Sequence, residues 1–157
     1  MKKLFFLLVL IPWLSLQHLS AQDANLDNAW KAFNAHRYEL AIQYCDSCIE
    51  NSAPSALKKQ HKLDSLKIVP ETGAVDNEKK KEIFNNGALN DVATVYFLKG
   101  RSSESFYKLD KQKNSKYKQM ANEAYKEACK YNKGRCWDVR GWFWSPCEAS
   151  TDRLPVE

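Results

Sequence analysis

The chain has 157 residues and a formal net charge of +5, from 24 basic and 19 acidic side chains. This length suffices for one domain of ordinary size with a single core. The basic residues are scattered among acidic ones, and this mild, mixed balance argues against nucleic acid as a partner.

The first 21 residues are predicted to be a secretory signal peptide. Two lysines precede an apolar run from Leu4 to Leu14, and the small residues Ser20 and Ala21 then form a cleavage site. The apolar run is shorter than the about 20 residues that a membrane-spanning helix needs. We therefore predict cleavage after Ala21, which leaves 22 basic against 19 acidic residues and a charge of +3. The mature protein is expected to be periplasmic or extracellular, without stable membrane insertion.

Residues 24–52 are predicted to form two short helices paired as a hairpin. The second helix, from about Tyr38 to Asn51, carries small, apolar or thiol side chains at spacings of three and four. This pattern indicates one buried stripe on the helix. Its members are Tyr38, Ala41, Cys45, Cys48 and Ile49.

The middle of the chain, residues 53–88, is predicted to contain two further helices. One would start at Pro54, since proline is tolerated in a first helical turn. A loop follows over residues 69–76, and Asp76 or Asn77 would cap a short helix that Gly87 stops.

Two more helices are predicted towards the C-terminus. A long one would be capped by Asn90 or Asp91 and extend through Leu109. Residues 116–131 repeat the earlier stripe at an offset of 80 positions, so that Ala121 matches Ala41. Small side chains at matching positions indicate that a neighbouring helix approaches closely there. The stripe consists of Tyr117, Met120, Ala121, Ala124, Tyr125 and Ala128.

These segments resemble tetratricopeptide repeats. In "AFNAHRYELAIQYCDSCIENSAP" the resemblance is carried by Tyr38, the small residues Ala41 and Cys48, and Pro54. "LNDVATVYFLKGRSSES" followed by "MANEAYKEACKY" resembles a second copy, with its first-helix glycine at Gly100. The chain departs from the family pattern at His36, where a glycine is usual, and by an insertion around residues 108–115. The repeat is about 34 residues long, so the offset of 80 leaves room for a degenerate middle unit.

The resemblance implies an all-α fold of stacked antiparallel helical hairpins over residues 22–133, with hairpins at about 24–52, 53–88 and 89–132. No strand is expected. It also implies a shallow concave surface that binds a peptide or a partner protein. The implied contact residues are Asn34, Arg37, Asn90, Tyr96, Lys99 and Ser103.

The remaining segment, 134–157, is predicted to be irregular and is rich in tryptophan. One hypothesis is that its rings cap the exposed end of the helical stack. The other is that Trp137, Trp142 and Trp144 form an exposed platform for a sugar ring or a partner's side chain, with Asp138 and Arg140 supplying hydrogen bonds.

The cysteines leave two questions open. Cys136 and Cys147 bracket the aromatic run, so they are either joined by a disulfide or are free or differently paired thiols. Cys45 and Cys48 have the spacing of a thiol-redox pair, but both lie on the buried stripe of a helix. We therefore favour a packing role for them.

No catalytic or metal-binding pattern is present in the sequence. It contains no phosphate-binding glycine loop and no serine-nucleophile motif. After leader removal only His36 and His61 remain as histidines, at no metal-ligand spacing. The leading hypothesis is a non-enzymatic, exported protein- or peptide-binding module without a cofactor, which works alone or within a larger envelope complex. Carbohydrate or small-ligand binding by the tryptophan-rich segment and thiol-redox chemistry are the alternatives.

Overall fold

The computed structural model describes residues 24–157, so the predicted leader lies outside the described residues. The chain is mainly helical in this part, as predicted. Its helices are α1 (Ala24–Asn34), α2 (Tyr38–Ser65), α3 (Asn77–Phe84), α4 (Gly87–Leu109), α5 (Ser115–Ala128) and α6 (Pro146–Thr151). A short 3-10 helix (Cys129–Tyr131) follows α5, and strands β1 (Cys136–Asp138) and β2 (Trp142–Trp144) precede α6.

The helices pack antiparallel around α4. α1 pairs with α2, α4 pairs with α5, and α2 lies against α4. Ala41 of α2 and Ala121 of α5 are both fully buried, which confirms the two predicted stripes. Among residues 24–157, no helix is long and apolar enough to cross a membrane.

In the turn between α1 and α2, His36 stands where the repeat pattern usually has a glycine. This residue has φ 57°, in the left-handed region that glycine adopts most easily. The N–H of Arg37 donates to the carbonyl of Ala32 at 2.9 Å, which closes the end of α1. Histidine therefore occupies a glycine-type backbone position, at some conformational cost.

The prediction of a new helix at Pro54 is wrong, because α2 continues through this residue to Ser65. Proline costs the helix one backbone hydrogen bond, but tertiary contacts beyond it hold the helix in place. Ala56 and Leu63 are buried against α4. The Gln60 side chain donates to Asn132 Oδ1 at 2.9 Å and accepts from the Lys133 N–H at 3.1 Å.

The short helix α3 begins as predicted, since the Asp76 carboxylate accepts the Lys79 N–H at 2.8 Å. The start of α4 differs from the prediction. It begins at Gly87, not at a cap formed by Asn90 or Asp91. Its predicted end at Leu109 is confirmed.

The segment after the 3-10 helix is not irregular, contrary to the prediction. β1 and β2 form an antiparallel hairpin in which Trp137 lies opposite Phe143. Gly141, with φ 98°, permits the tight loop between them, and its N–H donates to the Asp138 carbonyl at 2.8 Å. Aromatic residues favour extended backbone, which is consistent with strands at this position.

The disulfide joins Cys129 and Cys147, with Cα atoms 4.4 Å apart. Of the alternatives left open by the sequence, the Cys136–Cys147 bond is therefore wrong, and Cys147 is paired differently. The disulfide links the end of the α5 region to α6. Cys136 lies on β1 opposite Trp144 and is a free thiol, whereas α6, which carries Cys147, packs against α5 and the 3-10 helix that begins at Cys129. A disulfide is consistent with an oxidising compartment.

Candidate binding cleft

A cleft runs between α1 and the β1–β2 hairpin, and α4 forms its floor. We call it the α1–hairpin cleft. It consists of two adjoining cavities of about 610 Å³ each. Both cavities are bordered by Trp30, Cys136, Trp137, Val139 and Phe143.

Aromatic packing places the hairpin beside this cleft. Phe143 is only 2% exposed, and its ring centre lies 5.3 Å from that of Phe84 and 4.9 Å from that of Trp137. Trp144 is half-buried and packs edge-on against Phe97 of α4, with ring centres 5.0 Å apart. The tip of the hairpin is open, since Trp142 is 56% exposed. The aromatic segment therefore combines inward-packed rings with one exposed ring.

Buried polar side chains hold the base of the hairpin. Asn90 Oδ1 accepts the Arg135 N–H at 2.9 Å, and Asn90 Nδ2 donates to the Ile83 carbonyl at 2.7 Å. The Arg135 guanidinium donates to the carbonyls of Pro70, Asn132 and Gly134. Burial lowers the pKa of Arg135 from its ordinary value. These bonds join α4, the loop after α2 and β1 into one frame.

One edge of the hairpin is closed and the other is open. Phe143 exchanges two backbone hydrogen bonds with Gly73, at 2.7 and 2.9 Å. In an antiparallel pair the two backbone groups of a residue point to the same side. Since those of Phe143 point away from β1, the N–H and C=O of Trp137 point away from β2. No backbone hydrogen bond joins Trp137 to a residue outside the hairpin in the described part of the chain.

Charged groups of both signs border each cavity. Asp27, Asp91 and Arg135 border the first, and Arg101, Asp138 and Arg140 border the second. Arg101 lies 5.3 Å from the ring centre of Phe33, and within residues 24–157 it has no carboxylate partner.

At the hairpin tip, Arg140 bonds the Asp138 carboxylate through Nε at 3.0 Å and Nη2 at 2.9 Å. These hydrogen bonds, with one from the Arg140 backbone N–H, lower the pKa of Asp138 to about 2. The pair is therefore charged at neutral pH, and much of its hydrogen-bonding capacity is used internally.

The structure does not gather the predicted groove residues into one site. Asn34 and Arg37 are exposed near the α1–α2 turn and border neither cavity, whereas Asn90 borders the first cavity. Of the tail residues, Trp137 borders both cavities, and Trp142 and Trp144 border the second.

The other α4 residues that were predicted to contact a ligand make contacts within the protein instead. The Tyr96 ring stacks on Tyr131, with centres 5.7 Å apart. Lys99 Nζ pairs with Asp46 Oδ1 of α2 at 2.6 Å. Ser103 is fully buried, so it does not reach a surface ligand. The predicted contacts assumed that this face of α4 lines a groove, but α2 and α5 cover it.

Sequence reasoning missed Trp30, Arg101 and Phe143 as cleft residues. Trp30 follows the apolar pattern of α1, which signals burial but not a cleft. Arg101 carries no local signal, because its environment depends on Phe33 of α1 and on the hairpin. These residues can be assigned to the cleft only when the position of residues 134–157 against α4 is known.

The two cysteines of the "CDSC" stretch are fully buried in α2 and pack against α1 and α4. Burial raises the pKa of the Cys45 thiol, with the nearby Asp46 adding to the shift. Both features disfavour a thiolate nucleophile. Burial likewise raises the pKa of Cys136 to about 12.

The part of the chain that the structure describes contains no cluster of three or more His, Cys, Asp or Glu side chains suited to hold a metal ion. No protein-family model, no curated protein and no solved structure matches this chain.

Proposed function

We propose that the protein is a non-enzymatic, exported binding module that holds a peptide segment of a partner protein in the α1–hairpin cleft. It would act in the periplasm or outside the cell, within a larger envelope complex. The supporting observation is the cleft itself, which combines aromatic walls with carboxylates and guanidinium groups in both of its cavities. Peptides offer apolar and charged groups along one chain, and such a cleft complements both.

A relationship to tetratricopeptide proteins is part of this proposal. Two helical hairpins, α1–α2 and α4–α5, pack through the small residues Ala41, Gly100 and Ala121. In the resembling family the first helices of successive repeats line the binding surface. Here α1 and α4 are the first helices of their hairpins and border the cleft. The β-hairpin then narrows this surface into a cleft.

The test is capture of a partner from an envelope fraction by the purified protein, repeated with variants of the cleft. Trp142→Ala and Arg101→Gln remove an exposed ring and a guanidinium that border the second cavity. We expect each to weaken binding of the same partner about tenfold or more, as buried aromatic and arginine contacts do at interfaces.

The matched control is Leu109→Ala, which removes an exposed apolar side chain at the far end of α4, 68% exposed and outside the cleft. This variant should bind as the unaltered protein does. Equal binding by all variants would show that the partner docks elsewhere and would refute the cleft as the site.

A second candidate function is carbohydrate binding at the hairpin tip. Trp142 is 56% exposed, and the Arg140 guanidinium lies 5.7 Å from its ring centre. Sugars stack on exposed tryptophan rings, and charged groups beside the ring can bond their hydroxyls. A glycan that shifts the tryptophan fluorescence of the protein but not that of Trp142→Ala would favour this function over peptide binding.

A further inference from the structure

We infer that the bound peptide is an extended segment that adds to the hairpin as a third strand along the outer edge of β1. This inference rests on the proposed function and specifies the conformation and chemistry of the ligand. Its occupant is a polypeptide, because an extended backbone presents an N–H and a C=O at the spacing that a strand edge pairs with. The Trp137 carbonyl accepts only a weak hydrogen bond from the Cys136 thiol of the same strand, at 3.8 Å, which an added strand would replace or share.

The first argument is the direction of the hydrogen-bonding groups. β2 is already paired on both sides, with β1 on one side and with Gly73 on the other. The N–H and C=O of Trp137 therefore lie on the outer edge of β1, without a backbone partner outside the hairpin among residues 24–157. An added antiparallel or parallel strand would pair with both groups.

The second argument is the place of this edge in the cleft. Cys136 and Trp137 of β1 border both cavities, as does Val139 just after the strand, so β1 forms part of the cleft wall. β1 has three residues, about 10 Å of extended chain at about 3.3 Å per residue. An added strand would be of about this length and would lie in the two cavities that β1 borders.

The third argument concerns the side chain that such a segment would carry. Trp137 is half-buried, with Lys80 Nζ 4.0 Å and the ring centre of Phe143 4.9 Å from its own ring centre. A residue of the added strand directly opposite Trp137 would lie beside this ring. Aromatic and β-branched residues make favourable cross-strand pairs with an aromatic neighbour. The preferred ligand is therefore an extended segment with such a residue at its centre.

The natural ligand is not identified, so the experiment uses synthetic probes. These are six-residue peptides that alternate threonine with valine, tyrosine or phenylalanine, acetylated at the N-terminus and amidated at the C-terminus. Binding is followed by amide NMR of the purified protein. We expect slower hydrogen exchange at the Trp137 amide by about tenfold or more, as for an amide that gains a hydrogen bond. The Gly141 amide, already bonded to Asp138, is the internal control.

A matched pair of probes tests the pairing directly. In each, alternate backbone nitrogens are methylated, and the two differ only in which alternate set is blocked. Since alternate N–H groups of a strand face one side, one probe should lose binding about tenfold or more while the other retains it. Equal effects of the two probes would overturn the strand addition.

Two other outcomes also overturn this inference. Peptide binding that perturbs Trp142 but leaves Trp137 exchange unchanged would retain the cleft as a peptide site without strand pairing. Protection of Trp137 that rises with protein concentration in the absence of peptide would identify a second copy of the chain as the occupant. If no probe binds, strand addition is refuted, and partner capture with the Trp142→Ala and Arg101→Gln variants still decides the proposed function.

Discussion

Gly100 of α4 lies directly against the ring of Tyr125 of α5, so closely that a β-carbon on Gly100 would overlap the Tyr125 ring atoms. Tyr125 is fully buried, and its hydroxyl donates to Glu104 Oε2 at 2.6 Å. The ring is therefore held from two directions, by the backbone of α4 and by a carboxylate one turn further along the same helix.

Replacing Gly100 with alanine should destabilise the fold. The added methyl group overlaps a ring that its own hydrogen bond holds in place, and overpacking of this kind costs about 1–3 kcal/mol. The better helix propensity of alanine offsets at most about 1 kcal/mol of this cost. Urea unfolding measures the loss. Ser105→Ala, on the same helix but half-exposed, is the control and should stay within about 0.5 kcal/mol.

The helical part of the fold follows from local spacing. Ala41 and Ala121 lie on stripes with helical period, and the structure buries both completely. The continuation of α2 through Pro54 does not follow from local spacing, because proline there signals a helix start. Contacts of Gln60 with residues 132 and 133, more than 70 positions away, hold that part of the helix.

The cleft can be predicted from the sequence much less well than the helices. Strands of three residues are too short to show an alternating pattern, so β1 and β2 carried no periodic signal. The partner of Phe143 on its second side is Gly73, which lies 70 positions earlier. Pairings over such distances depend on how the helices place the connecting loops.

The disulfide provides a second test of stability. Replacing Cys129 and Cys147 together with serine should lower the free energy of unfolding by about 3 kcal/mol, from the chain entropy that an 18-residue separation constrains. Cys136→Ser is the matched control and should change stability little. Under the Cys136–Cys147 pairing, this single variant would instead cause a loss similar to that of the double variant, because both would break the bond. Peptide mapping without reductant identifies the bonded pair independently.

Acid should weaken the interaction of α4 with α5 and the C-terminal segment through Glu104. Burial raises the pKa of this carboxyl, but hydrogen bonds from Lys108 and Tyr125 and the nearby Arg153 outweigh it, so the net pKa lies below the ordinary 4.5. A lowered folded-state pKa means that the stabilisation is fully present above about pH 4.5 and is lost as the pH falls through the folded value.

The measurement is urea unfolding of the unaltered protein and Glu104→Gln across pH. At neutral pH the variant should be less stable by about 1–3 kcal/mol, because a nearly buried, charge-assisted network loses its charge. The difference should shrink below about pH 4.5. The exposed Glu123→Gln serves as control. A difference that grows on acidification would contradict the assigned direction of the pKa.

Thiol reactivity should separate a packing role for Cys45 and Cys48 from redox chemistry. Both are fully buried, and burial raises the pKa of Cys45, so little thiolate is present at pH 8. A thiol reagent should therefore modify neither residue in the native protein, and both after unfolding in denaturant. Rapid native-state modification of Cys45, located by mass spectrometry, would restore the redox hypothesis.

Trp144 should contribute more than Trp142 to the free energy of unfolding. The Trp144 ring packs edge-on against Phe97, 5.0 Å between centres, and joins the core formed by α4 and α5. Trp142 is 56% exposed at the hairpin tip. Trp144→Ala should therefore lower the free energy of unfolding by about 2 kcal/mol or more, whereas Trp142→Ala should change it by less than about 0.5 kcal/mol.

Fluorescence of the same two variants gives a second readout. Loss of Trp144 should remove a blue-shifted emission that iodide quenches poorly, and loss of Trp142 should remove a red-shifted emission that iodide quenches well. The cleft is supported as the binding site if the Trp142→Ala protein has unchanged stability but binds the partner more weakly. A Trp142→Ala protein that unfolds as easily as Trp144→Ala would instead mean that both rings serve as a core cap, because the tip of the hairpin would then be held by packing and closed to a ligand.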